Sequence, residues 1–159
     1  MSYSSNMPNV YLVVSGKRTR YTDRFRGLLI SAMQVLSIHD ALEISLRFLN
    51  RSTISDLNAS YRHLAGPTDT ITFALEDTAA FIRPPDLDVR VLGDMYLCLP
   101  QIRENAKKAG TAFDHELDLV FVHSVLHLLG YDHQTDQDYD TMMKLTETIL
   151  LFQTNGPSR

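Results

Sequence analysis

The chain has 159 residues, 44% of them hydrophobic and 21% charged, with a formal net charge of −4 and a pI near 5.8. That size and balance fit one globular domain, which buries roughly 70% of its unfolded surface, and they exclude a disordered, collagen-like or low-complexity chain. The acidic balance excludes bulk-charge coating of nucleic acid but not a local basic cleft, the single cysteine, Cys98, excludes an internal disulfide, and no apolar run approaches the ~18 residues of a membrane span.

In chain order, the polar start MSYSSNMPN lacks the basic-then-apolar pattern of an export signal, so a cytoplasmic protein without a membrane partner is expected. Asn9–Val14 (NVYLVV) predicts a strand ending in a turn at Ser15-Gly16. The basic stretch Lys17–Arg26 overlaps a helix predicted over Thr22–Leu36, where Phe25, Leu28, Leu29, Ala32, Met33 and Leu36 recur at helical spacing behind Thr22 and Asp23. Ala41–Leu49 alternates at Leu42, Ile44, Leu46 and Phe48, the period of a half-buried strand.

Ser52–Arg62 begins with capping residues and predicts a short helix, ended by a turn at Gly66-Pro67. Thr70–Leu75 and Val89–Leu99 predict strands, the second with a bulge at Gly93, and Glu76–Asp88 an exposed loop holding Pro84-Pro85. Pro100 suits the first turn of a helix closed by Gly110. Asp114–Leu129 predicts an apolar helix capped by Asp114 and stopped by Gly130, and a last helix runs from about Asp136 to Phe152. Residues 152–159 read as a disordered tail. Strands and helices mix without a strict βαβ rhythm, which predicts a single α+β domain over residues 1–159.

Three of the six histidines fall in the eleven-residue window HSVLHLLGYDH. His123 and His127 are i and i+4, so both stand on one helix face and can share an ion. Gly130 can adopt the left-handed conformation that ends a helix and brings His133 back. Three neutral imidazoles suit Zn²⁺ and leave a fourth position for water, whose pKa zinc lowers from 15.7 towards ~7. The spacing is also that of metzincin proteases, but Ser124 occupies the position of their general-base Glu, and Glu116 lies about 10 Å up the helix axis from His123. His39, His63 and His115 lack such spacing and read as ordinary histidines.

HSVLHLLGYDH resembles the signature H-G-x-L-H-L-x-G-Y-D-H of the YbeY family, bacterial zinc-dependent endoribonucleases of ribosomal RNA maturation, with Ser124 where that family usually has Gly. Leu57-Asn58-Ala-Ser-Tyr61-Arg62 with Pro67-Thr68-Asp69 and Thr72-Phe73 resembles its L-N-x-x-Y-R…P-T-D-V-L-S-F stretch, although Ala65 stands where Asp is common. Leu92-Gly93-Asp94-Met95 resembles its L-G-D-I strand. The resemblance covers roughly Ser52–Leu151; the first 50 residues match only as strand–helix–strand.

The resemblance implies a mixed sheet with one zinc ion held by His123, His127 and His133 at the end of a cleft, and Arg62 as the arginine acting in cleavage. It implies an endonuclease, a metal-dependent hydrolase of single-stranded RNA. Its substrate would lie near the 3′ end of small-subunit ribosomal RNA, in ribosome maturation and quality control. Ribosomal or ribosome-assembly proteins are candidate partners; DNA is not expected. Two other readings compete: a non-enzymatic assembly factor with a structural zinc, for which Cys98 is the only thiol, and a zinc peptidase, which Ser124 in place of the general-base Glu disfavours. Asp94 reads equally as a carboxylate orienting a ligand or arginine and as a strand end; Asp132 reads as fixing the loop of His133, and Tyr61 as core. Lys17–Arg26 and Lys107-Lys108 read as solvated faces that could track phosphates.

Overall fold

A computed structural model describes residues 9–15, 19–77 and 88–155. Four strands, β1 (Val10–Ser15), β2 (Ala41–Phe48), β3 (Thr70–Ala74) and β4 (Val89–Leu97), form one sheet in the order β1-β2-β4-β3. β1, β2 and β4 are parallel, and β3 runs antiparallel to β4 at the edge. The helices are α1 (Thr22–Val35), α2 (Arg51–Arg62), α3 (Leu99–Ala109), α4 (Phe113–Leu128) and α5 (Asp136–Asn155). The expected α+β architecture with a mixed sheet is what the chain adopts.

Alternation along the strands divides the interior. Leu42, Ile44 and Leu46 of β2 join Leu92, Met95 and Leu97 of β4 beneath α1, α4 and α5, where the Phe25 and Phe121 rings stack at 4.2 Å. Ile71 and Phe73 of β3 and Tyr96 of β4 face the other way, into a smaller cluster with Ile54, Leu57 and Cys98 under α2. Thr70 and Thr72 consequently face α4. The bulge expected at Gly93 is present: Glu43 pairs with Val91 and Ile44 with Gly93, leaving Leu92 as the extra residue. Gly93 has φ +138°, and a Cβ there would stand 2.0 Å from the Phe73 carbonyl oxygen.

Several local expectations need correction. Helix α1 is preceded by a 3₁₀ turn, so Tyr21 rather than Thr22 stands at its N-cap. Asn50, not Ser52, caps α2, its Oδ1 accepting from Thr53 N at 2.8 Å. Ala112 occupies the N-cap of α4, and Asp114 lies in the first turn, where its charge suits the helix dipole without a side-chain cap. The strands at β3 and β4 end at Ala74 and Leu97, and Leu75–Asp77 form a 3₁₀ turn where the strand's last residue and the start of the loop were expected. Helix α5 extends to Asn155, so residues 152–155 are helical rather than tail. The expected turn at Gly16, the Pro84-Pro85 loop and residues 156–159 lie outside the described residues. Among the described residues no helix is long and apolar enough to cross a membrane.

Candidate metal centre

Helix α4 supplies the base of the site. His123 and His127 stand one turn apart on its half-buried face, and the helix ends at Leu128 because Leu129 closes it and Gly130 turns at φ +98°. Tyr131 N donates back to the Leu126 carbonyl at 3.0 Å, which folds the exit loop against the helix. Asp132 then holds that loop: Oδ1 accepts from His133 N at 2.8 Å and Oδ2 from Gln134 Nε2 at 3.0 Å. These contacts bring the third imidazole over the first two. Ring centroids are 4.8 Å apart for His123–His127, 5.1 Å for His127–His133 and 5.7 Å for His123–His133. The ligating atoms all lie within 4.8 Å of one another, so the three residues could hold one metal ion.

The electrostatics suit that role. Burial, reinforced by the like charges of His127 and His133, pushes His123 down to about 4. Burial and the charge of His133 likewise lower His127, against the opposing pull of Asp132 and of a hydrogen bond to the Tyr131 backbone. Both rings are therefore neutral near pH 7, the form that ligates a metal. His123 Nδ1 is buried without a hydrogen-bond partner among the described residues, an orphan that a bound cation would relieve. An all-nitrogen donor set of three rings fits a borderline-soft divalent ion.

The cup opens into a cleft of about 550 Å³, whose walls include Arg62, Leu64, Asp69, Glu116, Tyr139 and Met143 together with the three histidines. Arg62 is exposed in the last turn of α2 and its positive charge acts on His127. His63, left-handed at φ 57°, ends α2, and Asn58 Nδ2 reaches across the turn to the Gly66 carbonyl at 3.0 Å. The turn that carries Arg62 is thus fixed from within.

Other expectations fare differently. Ser124 is buried and does not face the cup; its Oγ donates to the Val120 carbonyl at 2.7 Å and pairs with Thr70 Oγ1 at 2.9 Å, binding α4 to the sheet edge. Asp94 lines a separate small cavity with Ser15, Ser45 and Arg47, away from the histidine cleft. Cys98 is buried in the cluster under α2 and belongs to no metal-ligating group among the described residues. Tyr61 is not core: it is 64% exposed, edge-on to Phe73. In the basic stretch, Arg24 is committed to Asp118, its Nη2 donating to Oδ2 at 2.7 Å, while Lys17 and Arg18 lie outside the described residues. Lys108 pairs with Glu104 at 2.8 Å. Sequence reasoning set Glu116 aside by distance and missed Tyr139 and Met143; the i, i+4 and i, i+7 spacings within each helix were the available signal.

The family model described as Endoribonuclease YbeY matches residues 12–153. The chain belongs to the YbeY family. The match reaches into the N-terminal region, where the resemblance had been one of pattern alone. The Endoribonuclease YbeY of Bacillus cytotoxicus is 38% identical over 136 residues, covering 84% of this chain and 86% of its relative. That of Bacillus mycoides is 34% identical over 139 residues, with the same coverage. The solution structure of TM1509 from Thermotoga maritima has the same fold as this YbeY chain, with a TM-score of 0.57 at 24% identity over 93% of each chain.

Proposed function

We propose that this YbeY-family chain is a zinc-dependent endoribonuclease of the cytoplasm. On this reading it cleaves single-stranded ribosomal RNA, maturing the 3′ end of the small-subunit RNA and serving ribosome quality control, with ribosomal or ribosome-assembly proteins as partners. The observation that carries the proposal is a cup of three imidazoles sharing one cleft with an exposed arginine. The relatives' name, endoribonuclease, supplies RNA as the substrate class; the ribosomal target rests on the motif resemblance.

His123, His127 and His133 would hold the ion, and Asp132 keeps the His133 loop in register with α4. When bound, zinc supplies Lewis-acid polarisation of a phosphoryl oxygen and acidification of water at an open position. Arg62, with a guanidinium fork and no hydrogen bond or ion pair among the described residues, engages the scissile phosphate bidentately and stabilises charge developing on it. Its exposure lets the RNA backbone reach it from solvent. Ser124 cannot act as the base of a peptidase, since its hydroxyl is buried and spent on Val120 and Thr70. A purely structural zinc would need a fourth protein ligand, and among the described residues the three histidines have no such companion.

The test compares purified wild type with His127→Ala and Arg62→Ala for zinc content and for cleavage of a single-stranded ribosomal RNA fragment, with a chelator control. The expected pattern is loss of both zinc and cleavage in His127→Ala, and loss of cleavage with zinc retained in Arg62→Ala. Undiminished cleavage in His127→Ala, or in chelated wild type, contradicts the proposal. End groups of the products distinguish attack by the RNA 2′-hydroxyl, which leaves a 2′,3′-cyclic phosphate, from attack by water.

A further inference from the structure

The cleft is longer than a metal cup needs, and its polarity changes along its length. Glu116, Leu119, Val120, His123 and His127 all line it, at i, i+3, i+4, i+7 and i+11 of α4, so one stripe of the helix forms its floor. The stripe runs from a carboxylate over apolar side chains to the imidazoles. Met143 of α5 adds a polarizable apolar wall. Glu116 is half-buried and its carboxylate makes no hydrogen bond or ion pair among the described residues. The other carboxylate on the wall, Asp69, already accepts from Thr68 Oγ1 at 3.4 Å and Asn105 Nδ2 at 3.5 Å.

Resting on the nuclease reading above, we infer that the Glu116 end of the cleft is a nucleobase subsite that selects guanine in the RNA substrate. The phosphate belongs at the histidine and Arg62 end, where the charge is positive. Glu116 repels a phosphate, so the other end accepts a neutral group bearing N–H donors. Seven helical residues separate Glu116 from His123, about 10 Å of rise, which is the length of one nucleotide from its phosphate to the far edge of its base. The base lies over Leu119 and against Met143, with its edge at the carboxylate. Guanine presents N1–H and N2–H side by side, matching two carboxylate oxygens. Adenine and cytosine offer one amino group, and uracil offers one N–H flanked by carbonyls that a carboxylate repels. Glu116 is accordingly a specificity-determining residue that sets which nucleotide stands beside the scissile bond.

The test titrates guanosine 5′-monophosphate, uridine 5′-monophosphate and inorganic phosphate calorimetrically into zinc-loaded wild type and Glu116→Ala. In parallel, both proteins are given single-stranded RNAs carrying one guanosine at successive positions. Wild type should bind the guanosine nucleotide roughly tenfold or more tighter than the uridine nucleotide, the discrimination a bidentate base contact gives. Glu116→Ala should bring the two nucleotides level while inorganic phosphate affinity stays within about twofold, since only the base contact is removed. Ala is a strong helix former, and an unchanged melting temperature confirms that the variant is folded. Equal affinities for the two nucleotides in wild type, no nucleotide binding at all, or a guanosine preference that survives in Glu116→Ala overturns the inference. If cleavage occurs without any dependence on the position of guanosine, the subsite fails and the nuclease reading stands. If the binding preference holds but no RNA is cut, the nuclease reading fails and the subsite stands.

Discussion

Arg62 and Ser124 illustrate how differently two residues of the family motifs act. Arg62 is exposed and tied to no described partner, so Arg62→Ala should leave stability within about 0.5 kcal/mol while lowering the cleavage rate about 100-fold, the usual loss for one donor aimed at developing charge. Arg62→Lys should recover only part of that rate, because an ammonium lacks the planar fork; parallel melting and single-turnover assays check both. Ser124 is buried, and its hydroxyl bridges α4 and β3. Ser124→Gly should cost about 1–2 kcal/mol, from a helical glycine and a lost hydrogen bond, with zinc content unchanged. A drop in zinc stoichiometry in that variant would mean that the bridge positions the imidazoles as well as the helix. The histidine cup was legible from spacing alone, because i and i+4 on a helix plus a glycine turn leave little geometric freedom. Tyr61 was not: its exposure depends on β3 presenting Phe73 on the face that α2 covers only partly, and no local pattern encodes that.

At the scale of elements, two glycines do unlike work. Gly93 sits in the β4 bulge with its backbone against Phe73, so Gly93→Ala meets a backbone clash as well as an unfavourable φ. It should destabilise the protein by about 3 kcal/mol or more, read as a large drop in denaturant midpoint or as failure to fold. Gly130 has open space around it and only its φ of +98° to defend. Gly130→Ala should therefore cost about 1–2 kcal/mol and weaken zinc binding, since the turn aims His133; competition against a chromophoric chelator measures the second effect. Element types and order were legible because the hydrophobic period switches cleanly between two and 3.6. Helix starts were less so. Asn50 won the cap of α2 over Ser52 because its side chain reaches Thr53 N, whereas Tyr21 and Ala112 start helices with no side-chain cap, which composition cannot flag.

For the whole molecule, a net charge of −4 is unusual for an RNA-cutting enzyme, and three of its eleven arginines are held in ion pairs: Arg24 with Asp118, Arg51 with Glu104 and Arg90 with Glu76. On the proposed reading, RNA is bound where Arg62 and a metal ion would share one cleft rather than across a basic surface. The central claim is that three imidazoles hold one divalent ion and leave it a corner open to substrate. X-ray absorption at the zinc edge of the loaded protein measures this directly. The account predicts one zinc per chain with a first shell of three nitrogens at about 2.0 Å and one exchangeable oxygen. A sulfur scatterer, or a shell closed by a fourth protein ligand, would contradict it.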